Sequence, residues 1–147
     1  MDQPPRPSDE SIINRRMRSR IIIQTFAISA STLAAFFIGK MTMPEDHDIA
    51  TTMAFATLSL SELLRVYTTR SEINSVIKIG IFSNRWINLA VLSSLIMILA
   101  VIYIPFLNPV FTTQPLSTSH WFYITPLLIV PSLVAEITKI FTKRLNK

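Results

Sequence analysis

Four apolar runs, each close to the length of one membrane crossing, constrain this chain more than any other feature. They span residues 21–39, 49–67, 87–106 and 121–141. A helix needs about 20 mostly apolar residues to cross roughly 30 Å of hydrocarbon. A soluble domain would instead spread its apolar residues as amphipathic stripes. The expected fold class is therefore all-α: a polytopic membrane protein built as a four-transmembrane-helix bundle. Residues 1–20 form a separate polar N-terminal segment, and residues 21–147 form the membrane domain.

The loops predict the orientation. Basic residues number five before the first run, one in the first loop, three in the second, none in the third and four at the C-terminal end. Arg65 adds a further charge on the second-loop side. Lys and Arg accumulate on the cytoplasmic side of a membrane, so the alternation predicts both termini in the cytoplasm. The net charge of +5 is thereby explained without nucleic acid. Arg15, Arg16, Arg18 and Arg20 read as a topological anchor. Ahead of them, Pro4, Pro5 and Pro7 disfavour helix, and Ser8 or Asp9 is placed to cap a helix from near Glu10.

The second run is the least apolar. Its Met53, Phe55, Leu58, Leu60, Leu63, Leu64 and Val66 favour insertion by about 3 kcal/mol in total, and one central charge costs about the same. Glu62 supplies that charge. Arg65, near the end, snorkels at lower cost. Such a helix needs protein neighbours, and an ionisable side chain at that depth marks a functional site. Glu62 is thus the candidate cation-binding residue, with Arg65 as its charge partner. An i,i+3 ion pair with a purely structural role is the competing reading. Ser59, Arg65 and Thr69 share its helix face.

Other chemistry is thin. There is no Cys, which excludes disulfides, thiol catalysis and cysteine metal sites. Two glycines cannot build a dinucleotide fingerprint, and neither a phosphate-binding loop nor an H-E-x-x-H motif occurs. His47 sits among Glu45, Asp46 and Asp48, but that loop reads as solvated acid rather than a metal site. His120 falls on the same predicted outer side, away from Glu62. Small residues Ala27, Ser29, Ala30, Ser31, Ala34 and Ala35 predict close helix contact in the first span. Trp86 and Tyr103 bracket the third span, and Pro126 and Pro131 interrupt the fourth, where they are expected to kink it. The stretch from Thr68 to Trp86, with an apolar middle, is expected to lie at the cytoplasmic interface.

Five stretches, in order, resemble one family. MDQPPRPSDESI resembles the cytoplasmic loop after the sixth membrane helix of P-type cation pumps, calcium pumps in particular. TMAFATLSLSELLRVYTTRSE is similar to their eighth helix. IGIFSNRW and VIYIPFLNPVFTTQPLSTSHW resemble the entry to the ninth helix and the loop to the tenth, and AEITKIFTKR the end of the tenth. The resemblance covers essentially all 147 residues and corresponds to helices seven to ten. It implies a C-terminal support domain, inert in ATP hydrolysis by itself, whose partners are the lipid bilayer and the pump's remaining helices and cytosolic domains. It implies calcium as the transported ion, and ATP and magnesium in the complete pump, with no cofactor in this chain. In reticulum-type calcium pumps the eighth helix gives one carboxylate to a calcium site, and the matching position is Glu62. Asp2, Pro4, Pro5 and Arg6 match a loop that meets the phosphorylation domain, which implies a coupling role. The expected location is the plasma membrane. Two other functions fit four spans and one Glu: an autonomous proton-coupled transporter, and a regulatory membrane protein that binds a pump. Proton-coupled exporters of that size typically carry the Glu on their first span and have short loops.

Overall fold

The computed structural model describes the backbone of residues 15–69 and 84–144, and side chains within 17–69 and 84–139. The expected coupling residues Asp2, Pro4, Pro5 and Arg6, the helix start near Glu10, the interfacial stretch and the last basic residues lie outside the described side chains. Five helices are described: α1 Arg15–Thr42, α2 His47–Thr68, α3 Arg85–Tyr103, α4 Asn108–Phe111 and α5 Thr118–Arg144. No strand occurs among the described residues. All but α4 are long and apolar enough to cross a membrane, so the all-α, four-span fold class holds.

Helix ends depart from the apolar runs, because a helix stops where its backbone bonding stops. α1 and α5 continue into polar sequence at both ends. α3 stops three residues short of the expected Phe106. Its cap, Ile104, is extended at ψ 115°, because the residue before a proline, here Pro105, is steered out of the α region. Pro109 then opens the short α4, near the position proline prefers at a helix start. Thr112 ends it at φ 52°, with its N–H bonded to the Asn108 carbonyl.

α1, α2 and α5 pack against one another, and α3 joins mainly through α2. Nearly half of the α2 span, 44%, is buried within the chain, against 6% of α3. The poorest membrane inserter is thus the central helix, as its insertion balance requires. Its buried face carries small residues, among them Ala50, Ala56, Thr57 and Ser61. On α1, Ser31, Ala35 and Gly39 are buried at four-residue spacing, an arrangement that lets helix backbones approach closely. Ala27, Ser29, Ala30 and Ala34 are more open, so only part of the expected small-residue set makes the contact. At Gly39 a side chain would meet the Ala50 Cα at 2.6 Å.

The apolar core joins Ala35, Met53, Ala56, Ile102, Leu116 and Ile124, one or more from each spanning helix and the loop before α5. Polar bonds tie the same end. Asp46 caps α2, accepting from the N–H groups of Asp48 and Ile49, and its Oδ1 also accepts from Gln114 Nε2 at 3.1 Å. Gln114 N donates to Thr52 Oγ1 at 2.9 Å. Tyr103 Oη donates to the Leu116 carbonyl and accepts from Trp121 Nε1. His120 Nδ1 accepts from Ser117 N at 3.2 Å, the part that Glu or Gln plays in a capping box.

Candidate functional site

Glu62 lies on the last third of α2, about 9 Å along the axis from its end at Thr68. The helix is central, but Glu62 is 47% exposed and points away from the chain's other helices. Its stripe, Leu58, Glu62, Val66 and Thr69, is the open side of α2. The buried face uses the smaller side chains opposite, so helical periodicity leaves the carboxylate outward. Arg65 Nη1 approaches both carboxylate oxygens, at 3.2 and 3.3 Å. The expected i,i+3 pair is therefore formed. Ser59 is half-buried one turn earlier.

A carboxylate on an otherwise apolar stripe is costly against lipid. One arginine beside a carboxylate at half exposure offsets that cost only in part. The stripe that carries the carboxylate faces away from the other described helices. One carboxylate offers at most two of the six to eight oxygens a calcium ion takes. Among the described residues no group of three His, Cys, Asp or Glu side chains comes together. His47 instead lies edge-on to Phe36, with ring centroids 5.7 Å apart, and Asp46 is occupied as a cap.

A second polar cluster escaped the sequence reading. Between the first turns of α1 and the last turns of α2 and α5 lies a cavity of about 190 Å³. Arg20, Gln24, Arg65 and Lys139 line it. Lys139 Nζ donates to the Thr68 carbonyl at 2.5 Å and pairs with Glu136 at 2.9 Å. Arg65 thus belongs to both sites, facing Glu62 through Nη1 and lining the cavity. No local signal links Arg20 to Lys139, because they lie 119 residues apart in the chain.

Residues 1–141 match the sequence model of the family described as "Cation transporting ATPase, C-terminus". Among similar proteins, a calcium-transporting ATPase of Bacillus subtilis (strain 168) is 34% identical over 142 residues, 91% of this chain and 16% of that protein. Calcium-transporting ATPase type 2C member 2 of Mus musculus is 32% identical over 145 residues, 99% of this chain and 15% of that protein. Calcium-transporting ATPase type 2C member 1 of Homo sapiens is 33% identical over 140 residues, 93% of this chain and 15% of that protein. The chain spans about a sixth of the length of these relatives.

Proposed function

The chain belongs to the cation-transporting ATPase family, whose C-terminal region it matches, and from that premise we propose that it serves as the membrane support domain of a calcium-transporting P-type pump. In this reading Glu62 gives one carboxylate to an ion site completed by other helices. The observation that carries it is the outward carboxylate on the open stripe of the most buried of the four spanning helices. A purely structural pair has no need of that face, whereas a shared ion site does.

Calcium is the cargo, and the names of the relatives support that choice. ATP and magnesium act on other parts of the pump, and the chain alone has no ATPase activity. Residues 1–20 act as a cytoplasmic segment ahead of the membrane domain, residues 21–147. Within that segment Asp2, Pro4, Pro5 and Arg6 couple ATP chemistry to ion release. Both termini face the cytoplasm, and the membrane is the plasma membrane.

The test is a chimera: a calcium pump in which this chain replaces the C-terminal membrane region, assayed for ATP-driven calcium uptake into vesicles. Glu62→Gln keeps size and removes charge, so it lowers calcium affinity at normal membrane insertion. Pro4→Gly with Pro5→Gly lowers turnover at unchanged affinity. Native affinity, stoichiometry and pH profile in Glu62→Gln would leave Glu62 only the structural pair. Native turnover in the proline variant makes the loop a linker.

A further inference from the structure

The cavity between α1, α2 and α5 shares only Arg65 with the ion reading above. Every ionisable side chain on its wall is a cation, Arg20, Arg65 and Lys139; the carboxylates that pair with Arg65 and Lys139, Glu62 and Glu136, lie off the wall. Lys139 is nine-tenths buried. Two buried donors on the wall, Gln24 Nε2 and Arg65 Nε, have no hydrogen-bond partner among the described residues. A buried donor left unpaired is costly, so the lining favours an acceptor-rich anion. Thr68, Thr69 and Thr138 add hydroxyls to the wall, and its remaining residues are apolar. Ile21 and Val134 line it, and Ile21 is 49% exposed beside it. Charged donors that meet apolar surface where three spanning helices reach their ends match a phospholipid at its headgroup level. Basic pockets between spanning helices bind headgroups in this way. A free anion gains nothing from the isoleucine, whereas an acyl chain lies along it. The volume, about 190 Å³, suits a phosphodiester and part of the glycerol, with the chains left outside.

We propose that this cavity binds the phosphate of an anionic phospholipid from the adjoining leaflet, held by Arg20, Gln24, Arg65 and Lys139. The lipid fastens α1 to the ends of α2 and α5, where the apolar core does not reach.

The test uses the chain purified in neutral detergent and offered equal amounts of dioleoylphosphatidylglycerol and dioleoylphosphatidylcholine. Native mass spectrometry reads the retained lipid, and circular dichroism verifies the fold of each variant. The expected result is one phosphatidylglycerol per chain, kept in preference to phosphatidylcholine. Gln24→Leu and Arg65→Gln each weaken its binding about tenfold, the scale of one lost charge-assisted hydrogen bond. Arg65→Lys recovers part of the loss, because it restores the charge without the planar fork. Arg18→Gln removes an exposed charge at the same end but off the cavity wall, and leaves binding unchanged. Equal losses in Arg18→Gln and Arg65→Gln mean diffuse surface attraction and overturn the site. Equal retention of the two lipids overturns the anionic preference. Inorganic phosphate that displaces phosphatidylglycerol at millimolar concentration, and by itself raises the thermal midpoint, makes free phosphate the ligand and overturns the lipid assignment.

Discussion

Replacing Gly39 by Ala puts the contact between α1 and α2 to a quantitative test. The added Cβ would stand 2.6 Å from Ala50 Cα, 3.0 Å from Ala50 Cβ and 3.2 Å from Met53 Sδ. Carbon atoms rest comfortably at about 3.5–4.0 Å, so the two backbones must part by roughly 1 Å. Met53 can swing aside, but Ala50 Cα cannot. Overpacking of this kind costs about 1–3 kcal/mol. Ala is the better helix former by about 1 kcal/mol, and Gly39 lies inside α1. With a backbone atom as the obstacle the clash falls in the upper part of its range. The net expectation is a loss of about 1–2 kcal/mol. The assay is equilibrium unfolding by dodecyl sulfate titrated into neutral micelles, followed by the fluorescence of Trp121, which packs against the core. Adding Ala50→Gly relieves only the 3.0 Å contact, so the double variant recovers a minor share of the loss. A Gly39→Ala chain that unfolds at the native midpoint or above it refutes the close approach.

Two further outcomes are expected. Asp46→Ala removes the cap of α2 and the acceptor of Gln114 Nε2 together, and lowers stability by about 1–2 kcal/mol in the same titration; a change below a few tenths would show that neither bond matters. Single cysteines at Ser119 and Ser75, in a chain that has none of its own, report orientation in intact cells: an impermeant thiol reagent reaches position 119 and spares position 75, and the opposite pattern reverses the proposed topology.

The spans were legible because apolar length alone dictates a crossing, and no tertiary contact had to be known. The depth of α2 was legible too, from the near-zero balance between its apolar side chains and Glu62. The direction Glu62 faces was not. Insertion balance says that a helix needs neighbours, not on which side they stand. The Asp46 cap left a signal that went unused, an acid one residue ahead of the first helical turn. α4 left another in Pro109. The cavity left none. Arg20 read as one more anchoring charge, and only the packing of α1 against α5 brings it near Lys139.

The tight seam at Gly39 and Ala50 sits at one end of the bundle, and the cavity at the other. A seam with backbone against backbone can rotate slightly but cannot slide or open, so it acts as a pivot. Arg20 lies 19 residues from Gly39, roughly 28 Å along the helix axis. A tilt of roughly 5° at the seam therefore carries Arg20 through about 2.5 Å, close to the reach of one hydrogen bond. A rotation too small to disturb the packed end is then enough to make or break a contact at the far end. Long helices clamped at one extremity are levers, and this chain places Arg20, Arg65 and Lys139 at the moving tips.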